Sequence, residues 1–457
     1  MLARDDRIDM RLPMYTRAAT IAKPLLASVA IVALVVGAFA GIAPAIEPDV
    51  VYFNGKVVTL DPAGAIVSAV AVKDGKILSV GATDELKKLA GHSTRMVDLG
   101  GKTVVPGLID AHCHVLGSSF KVTEVESQPL TYVASYAAKM LGHALDCGFT
   151  TVRDVGGGDS GIARAVADRL IRGPRVFFAG RALSMTGGHG DFRDPFSAVG
   201  ACACSADGRV AVVVDGADAV RAAAREELRR GAHCIKIMLS GGVLSPTDPI
   251  WMDQFTDAEV VAAVEEAARR RKYVAAHCHP PSSIERAAKL GVRTIEHATL
   301  IDESSAASVK AAGAFVVPTT VIVRALLDDA RSGLLPPWVS IKLAEVSDHS
   351  LRGLELMDRL GLKIGFGTDL LGHLHTHQTR EFAIRREVQS AAAILRSATF
   401  VNAEILMEPQ LGKIQPGCHA DILIVDGDPL AHINVLAQDG RSLTAIMKAG
   451  QFHRRTT

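Results

Sequence analysis

Two histidines stand two residues apart at the end of an apolar run, in the sequence VPGLIDAHCH at residues 105–114. In an extended chain, residues i and i+2 point to the same face, so His112 and His114 can be directed at one point. Two imidazoles directed at one point are suitable ligands for a divalent metal ion. Such a pair arises easily by chance in a chain with 16 histidines, so a metal site requires further ligands elsewhere in the sequence.

The composition is that of a globular protein without a strong net charge. The 457 residues include 50 Lys and Arg against 49 Asp and Glu, and 48% of the residues are hydrophobic. This length predicts one large domain and a minor one. No basic cluster with interleaved aromatic residues is present, so nucleic acid is not an expected partner. The seven cysteines follow no repeating spacing and therefore predict no disulfide framework.

Residues 1–46 predict an export segment. Residues 24–46 carry no charge, basic residues precede them, and the small residues Ala43-Pro44-Ala45 stand at a cleavage spacing, as in a secretory signal peptide. The apolar run is also long enough to span a bilayer, which takes ~20 residues. We expect a periplasmic or secreted protein, with a retained membrane anchor as the alternative. Membrane contact is then expected only through residues 24–46.

Both ends of the remaining chain are predicted to be rich in β-strands. Between residues 49 and 97, apolar runs alternate with turn dipeptides such as Asn54-Gly55 and Asp74-Gly75, which indicate hairpins. The same pattern surrounds Asp426-Gly427 near the C-terminus. We therefore expect residues 47–102 and residues 401–457 to form one small β-sandwich domain together.

The middle of the chain alternates short apolar runs with amphipathic segments. Apolar runs without polar alternation are typical of strands buried on both faces of a parallel sheet. Eight such strand–helix units predict an α/β fold, specifically a (β/α)8 TIM barrel over residues 103–400. A doubly wound sheet is the alternative, but no Gly-x-Gly-x-x-Gly sequence follows the first strand. The runs cover residues 104–109, 150–152, 176–179, 234–238, 273–276, 294–295, 315–317 and 363–366.

The C-terminal ends of the strands in such a barrel face one mouth, so polar residues at those ends are predicted to converge. They come from most of the predicted strands, which makes chance an insufficient explanation for the first histidine pair. These residues are His112, His114, Asp154, His189, Lys236, His277, His297 and Asp369.

Lys236 lies between Ile235 and Ile237, which should face the helices, so its own side chain should lie inside the barrel. Burial of an unpaired ammonium is costly and lowers its pKa. The neutral amine can add CO2 and release a proton, and the resulting carbamate is an anion that can bridge two metal ions. For this residue alone, a salt bridge with a carboxylate is the simpler interpretation. The neighbouring ligand candidates favour the carbamate.

Several stretches of the sequence resemble those of the amidohydrolase superfamily. Within it, they are most similar to the branch of prolidase-like and Xaa-Arg (Lys) carboxypeptidase-like enzymes, to which ochratoxin-hydrolysing amidases also belong. The resemblance covers the chain from about residue 49 to its C-terminal region. The matching stretches are VPGLIDAHCH (105–114), GFTTVRD (148–154), TGGHG (186–190), IKIM (235–238), SGGV (240–243), IEH (295–297) and GTD (367–369).

The resemblance implies a metal-dependent hydrolase of C–N bonds in small substrates such as dipeptides or N-acyl amino acids, in which a hydroxide bridges two metal ions. It implies that the more buried ion is held by His112, His114 and Asp369. It also implies that the more exposed ion is held by His277 and His297, and that carbamylated Lys236 bridges the two. Zinc is the default for nitrogen and oxygen ligands, with manganese or cobalt as alternatives.

The same resemblance implies two catalytic residues. Asp369 would act as the general base that orients the hydroxide and later protonates the leaving amine. His189 would contact the substrate near the metal ions. We expect His279, beyond the end of its strand, to turn away from the site, and we expect the histidines of residues 373–377 to lie in a solvated loop. Candidates for binding a substrate carboxylate are Arg153, Arg181 and Arg324.

Other functions remain open at this point. A mononuclear deaminase or imidazolone-type hydrolase is disfavoured because the corresponding branches lack a bridging ligand such as Lys236. A lactone or phosphotriester hydrolase would use the same binuclear centre. A non-catalytic scaffold is compatible with the fold, but the intact ligand set argues against it. We expect a small-molecule or short-peptide substrate and a homo-oligomer.

Overall fold

The structure is a computed structural model that describes residues 46–193 and 208–455. The predicted export segment therefore lies outside the described residues, apart from Ile46. The strands, in chain order, are β1 (Val50–Phe53), β2 (Lys56–Val58), β3 (Ile66–Val67), β4 (Ala69–Lys73), β5 (Lys76–Gly81), β6 (Arg95–Asp98), β7 (Thr103–Pro106), β8 (Leu108–Cys113), β9 (Phe149–Asp154), β10 (Arg175–Phe178), β11 (Ala182–Ser184), β12 (Ala211–Val213), β13 (Ile235–Met238), β14 (Val274–Cys278), β15 (Thr294–His297), β16 (Phe315–Val317), β17 (Lys363–Ile364), β18 (Ile422–Val425), β19 (Leu443–Lys448) and β20 (Gln451–Arg455).

Helices connect most of the strands in the middle of the chain. Within the described ranges, none of them is long and apolar enough to cross a membrane. The α-helices are α1 (Thr83–Lys87), α2 (Val122–Ser127), α3 (Leu130–Asp146), α4 (Ser160–Ala167), α5 (Ala217–Arg229), α6 (Asp257–Arg269), α7 (Pro281–Lys289), α8 (Glu303–Ala312), α9 (Thr320–Arg331), α10 (Pro337–Arg359), α11 (Arg380–Arg385), α12 (Ala391–Arg396) and α13 (Asn402–Leu406). A π-helical turn (Ser397–Val401) and two 3-10 turns (Gly372–His377 and Ile433–Leu436) complete the set.

The strands of the central region are parallel and form two sheets. One has the order β10-β9-β8 and the other the order β12-β11-β13-β14-β15-β16-β17. Helices α5 to α8 and the strands of the seven-stranded sheet share a large apolar cluster, as expected for parallel strands covered by helices. The α/β fold class predicted from the sequence is confirmed. The pair β11 and β12, which stands between the third and fourth predicted strands, was not part of the prediction.

The two ends of the chain meet in a third sheet with the order β20-β19-β18-β7-β2-β3. Its central pairing is between β18 and β7, which run antiparallel with Ile422 opposite Pro106. A fourth sheet from the N-terminal region has the order β5-β4-β1-β6. Strand β2 joins the third sheet by pairing with β7 in parallel. The strands of residues 47–102 therefore meet the C-terminal strands through β7, a segment that was predicted to belong to the barrel.

The first apolar run of the central region is divided between two sheets. Residues 104–109 were predicted as one strand, but Gly107 separates β7, in the terminal sheet, from β8, in the parallel sheet. A Cβ atom at Gly107 would lie 2.1 Å from Oγ1 of Thr150, so only glycine fits between the two strands. The break sends β8 into the parallel sheet with His112 close to its C-terminal end.

Candidate active site

One pocket at the C-terminal ends of the parallel strands contains all the residues that the sequence predicted to converge there except Asp154. Apart from these residues and two threonines and His279, its described lining is apolar. The predicted residues in the lining are His112, His114, His189, Lys236, His277, His297 and Asp369.

His112, His114 and Asp369 lie close enough to share one ligand. The Nε2 atom of His112 lies 3.2 Å from Oδ1 of Asp369, and the Nε2 atom of His114 lies 3.0 Å from the same oxygen. One ligand atom from each of the three residues falls within 4.8 Å of the others. Two imidazole nitrogens and a carboxylate oxygen at such spacing suit a divalent metal ion.

The backbone fixes the orientation of two further imidazole nitrogens. His114 donates from Nδ1 to the carbonyl oxygen of Gly156 at 2.9 Å, and His277 donates from Nε2 to that of Gly241 at 3.1 Å. A carbonyl oxygen only accepts, so the bonded nitrogen carries the proton and the other nitrogen keeps its lone pair. This arrangement prepares both rings to bind a metal ion.

Side chains fix the other two rings. Nδ1 of His112 donates to Oε2 of Glu296 at 2.7 Å, and Nδ1 of His297 is hydrogen-bonded to the hydroxyl of Thr319 at 2.7 Å. In both rings Nε2 remains available for a ligand. The donor set therefore fits a divalent metal centre, since each imidazole has one nitrogen held and the other free.

Lys236 is buried beside these rings. Within residues 46–193 and 208–455 it forms no salt bridge, so the interpretation as a simple ion-paired lysine finds no partner. Burial lowers the pKa of Lys236, against the opposing influence of the Glu296 and Asp369 carboxylates. An amine of lowered pKa is more often neutral and can act as a nucleophile towards CO2.

Asp369 is held as a carboxylate. Burial alone would raise its pKa, but the neighbouring imidazoles of His112 and His114 keep the pKa well below its usual range. Its backbone is in the left-handed region, with φ of 57°, as is that of His297, with φ of 68°. Such backbone conformations cost about 1–3 kcal/mol each and cluster at functional sites.

A buried ion pair supports His112 from behind. Glu296 accepts a hydrogen bond from His112 through Oε2, and its Oε1 lies 2.8 Å from Nη2 of Arg153. Both carboxylate and guanidinium are fully buried. Arg153 is thereby engaged and is not available to bind a substrate carboxylate. Glu296 was not predicted to have a role, although it stands directly before the predicted ligand His297 in the sequence.

We expect Glu296→Gln to lower the free energy of unfolding by about 3–5 kcal/mol, because it leaves Arg153 as an uncompensated buried charge. Metal affinity should also fall by about 10- to 100-fold, since the acceptor of His112 is weakened. Chemical denaturation of the metal-free protein measures the first effect. Glu265→Gln is the control, because Glu265 pairs with Arg221 at the surface and such pairs contribute about 0–1 kcal/mol. Equal losses in the two variants would contradict this role.

The ring of His189 is stacked on that of His277, with centroids 4.1 Å apart and an angle of 28° between the planes. Gly242 also lies against this ring, since a Cβ atom there would approach Cε1 of His189 to 2.2 Å. Nδ1 of His189 is 2.7 Å from the hydroxyl of Ser245 and 3.5 Å from a carboxylate oxygen of Asp248. The sequence SGGV therefore admits and holds a histidine beside a predicted metal ligand.

Gly242→Ala should displace the ring of His189 and lower kcat/KM by ~10²-fold, the cost of misplacing an active-site group by about 1 Å. If the loss acts through His189, the double variant Gly242→Ala/His189→Ala should be no worse than His189→Ala alone. Independent, additive losses would show that Gly242 acts by another route. Gly142→Ala is the control, since a methyl group there meets nothing closer than 3.8 Å.

Three further expectations have different outcomes. His279 does not turn away from the site: it lines the pocket, and its ring stacks on that of His297 with centroids 5.2 Å apart. Asp154 instead binds backbone, accepting from the N–H groups of Val115, Gly156 and Gly158. In the loop of residues 373–377, His373 is exposed as expected, but His375 is partly buried and hydrogen-bonds to the carbonyl oxygen of His114 at 3.2 Å.

The remaining candidates for binding a substrate carboxylate are also engaged. Arg181 pairs with Glu227 at 2.7 Å, and Arg324 lies 3.6 Å from Glu387. Neither lines the pocket. Cys113, which separates two predicted ligands in the sequence, and Cys278, which follows another, are buried in apolar clusters and serve as packing residues.

Comparison with known proteins identifies the family. The model of the amidohydrolase family matches residues 103–452. The chain is 32% identical to ochratoxinase of Aspergillus niger over 399 residues, which are 84% of this chain and 82% of that protein. A solved prolidase complexed with N-methylphosphonate-L-proline is 41% identical and superposes with a TM-score of 0.85, over 89% of this chain and 100% of that one.

A solved Xaa-Pro dipeptidase with bound methionine is 28% identical and gives a TM-score of 0.78, over 89% of this chain and 99% of that one. These matches confirm the resemblance stated from the motifs. The chain belongs to the amidohydrolase family and is a hydrolase that acts on carbon–nitrogen bonds.

Proposed function

We propose that this protein hydrolyses amide bonds in small substrates, such as dipeptides or N-acyl amino acids, with two divalent metal ions in the pocket. The observation that carries the proposal is the approach of His112 and His114 to one oxygen of Asp369, at 3.2 and 3.0 Å, beside a buried lysine that has no salt-bridge partner among the described residues. The ochratoxinase, prolidase and Xaa-Pro dipeptidase relatives support an amide substrate.

In this proposal, the ligands would form two groups. The more buried ion would be held by His112, His114 and Asp369, and the more exposed one by His277 and His297. The neutral amine of Lys236 would attack CO2, form a new N–C bond and lose a proton, and the carbamate would bridge both ions. Zinc suits this mixture of imidazole nitrogen and carboxylate oxygen ligands.

When bound, the ions would acidify a water molecule and polarise the scissile carbonyl. The side chains of the protein then have separate tasks. The pKa of Asp369 lies well below its usual range and its Oδ1 lies within 3.2 Å of His112 and His114, so it could accept a proton from the attacking water and deliver it to the leaving nitrogen. His189, held by Ser245 and Asp248, would orient the substrate above the ring of His277.

We also propose the finer architecture expected from the sequence. A closed (β/α)8 barrel over residues 103–400 is supported by two hydrogen bonds that connect the two parallel sheets, both at 2.8 Å. Ala111 N of β8 donates to Phe366 O, just after β17, and His233 N, just before β13, donates to Phe178 O of β10. A β-sandwich from residues 47–102 and 401–457 is supported by an apolar cluster that contains residues of both terminal sheets.

Export of the protein and assembly into a homo-oligomer complete the proposal. The uncharged run of residues 24–46 behind a basic stretch supports export. Mass analysis of the extracellular or periplasmic protein should give an N-terminus near Ile46, whereas a membrane-bound product that retains residues 24–46 would identify an anchor. The measured molar mass in solution decides the oligomeric state.

A substrate panel tests the proposed reaction. Zinc-loaded protein should hydrolyse at least one class among Xaa-Pro, Xaa-Arg and Xaa-Lys dipeptides, dipeptides with apolar residues, and N-acyl amino acids. A lactone and a phosphotriester serve as comparison substrates. Faster hydrolysis of either of these than of every amide would contradict an amide substrate while leaving the metal centre intact.

A further inference from the structure

The lining of the active-site pocket has two chemically different parts. The predicted metal ligands form one part, and apolar side chains form the other. The apolar part, called the aliphatic wall below, is made by Ile322, Val323 and Leu326 of α9 and by Leu343 and Val346 of α10.

The aliphatic wall is built on rigid elements. Helices α9 and α10 together connect β16 to β17, and they pack against each other in one apolar cluster. The cluster also contains Ile250, and the partly exposed Val243 and Leu244 pack against it. Because the wall residues stand on two packed helices, the apolar surface facing the pocket is largely preformed.

No described residue of the pocket can neutralise a charged substrate group near this wall. Among the lining residues from the described ranges, the only lysine or arginine is Lys236 and the only carboxylate is Asp369, and both belong to the proposed metal centre. Lys342 of α10 is directed elsewhere, since it donates to Ser245 O at 2.7 Å and pairs with Asp248 at 3.5 Å. A charged group placed against the wall would lose its water without gaining a partner.

We propose that a substrate side chain next to the scissile amide, on either its acyl or its amine side, is uncharged and apolar, either aliphatic or aromatic. The aliphatic wall then rejects lysine and arginine side chains. This inference rests on the amide hydrolysis proposed above and narrows its substrate class. It departs from the Xaa-Arg and Xaa-Lys specificity that one part of the family resemblance implied.

Matched substrates test the proposal. Alanyl-norleucine and alanyl-lysine differ at the end of one side chain by the ammonium group, and norleucyl-alanine and lysyl-alanine make the same comparison on the acyl side. We expect kcat/KM to favour norleucine by at least about tenfold in one of the two pairs. Substrates that differ by a single methylene in an apolar pocket already differ in kcat/KM by about 10- to 200-fold. Equal or higher values for the lysine substrates in both pairs would overturn the proposal.

A charge placed beside the aliphatic wall should change this preference. Leu244 lines the pocket and packs against the cluster that contains the wall residues. It is partly exposed, so it can be replaced with less risk to folding than the buried wall residues. Leu244→Glu should raise the ratio of lysine to norleucine hydrolysis by about tenfold, and Leu244→Gln, of the same size but uncharged, should not. The same ratio in both variants would show that the wall does not contact the substrate side chain.

Ligand binding separates this proposal from the proposed reaction. Hexanoate and 6-aminohexanoate differ only by a terminal amine, and calorimetry with zinc-loaded protein should show at least about tenfold tighter binding of hexanoate. If no amide is hydrolysed but hexanoate is preferred, the proposed reaction fails and the apolar specificity stands. If amides are hydrolysed without either preference, the reaction stands and the specificity fails.

Discussion

Lys236→Ala should leave the protein folded but with fewer than two metal ions per chain and with amide hydrolysis reduced by at least about 10²-fold. The amine is buried among the proposed ligands and has no salt-bridge partner in the described part of the chain. Removal of a bridging anion leaves two cations that repel each other at close range. Metal analysis of the purified protein measures the number of ions per chain, and turnover of the best substrate from the panel measures the loss of hydrolysis.

Two comparisons give this experiment its specificity. Lys342→Met removes another buried lysine that is paired with Asp248 outside the ligand cluster, so metal content should not change. Lys236→Glu supplies a shorter carboxylate and should retain more metal than Lys236→Ala. Two ions per chain in Lys236→Ala would contradict the bridging role.

Asp369→Asn should lower kcat by about 10²- to 10⁴-fold, the usual contribution of a general base, while the thermal transition stays near that of the wild type. The amide still provides an oxygen for a metal ion, but it cannot take up a proton. Pre-steady-state and steady-state rates at saturating metal separate the loss of chemistry from a loss of metal.

Asp154→Asn is the matched control for this change, because Asp154 also follows a parallel strand and is fully buried. Its carboxylate accepts hydrogen bonds from three backbone N–H groups. Its replacement should therefore lower the free energy of unfolding by about 1–3 kcal/mol. Turnover per correctly folded, metal-loaded molecule should change much less than in Asp369→Asn. A turnover number near that of the wild type in Asp369→Asn would exclude it as the base.

The central part of the site could be predicted from the sequence because parallel strands leave a simple pattern. Each apolar run ends near one edge of a sheet, so reading the polar residue at each end was enough to find His277 and His297. Lys236 stands within its run, and side-chain alternation along the strand predicted that it faces the interior. The structure places all three in one pocket with the first histidine pair. No knowledge of long-range contacts was needed for this step.

Contacts between distant residues could not be predicted in this way. The support of His112 depends on Glu296, and that of Glu296 on Arg153, 143 residues away in the chain. Nor does periodicity show that Gly107 divides the first run between two sheets, since this depends on the close approach of Thr150. The prediction that His279 turns away from the site was wrong, since its ring stacks on that of His297. The strand pattern does not specify the direction of the chain after β14.

The metal-to-protein ratio at which amide hydrolysis saturates tests the binuclear centre most directly. Apoprotein prepared with a chelator would be titrated with zinc in the presence of bicarbonate as a source of CO2, and hydrolysis of the best amide substrate would be followed at each addition. The account predicts no hydrolysis without metal and saturation at two equivalents per chain. Full activity in the apoprotein, or saturation at one equivalent, would contradict it.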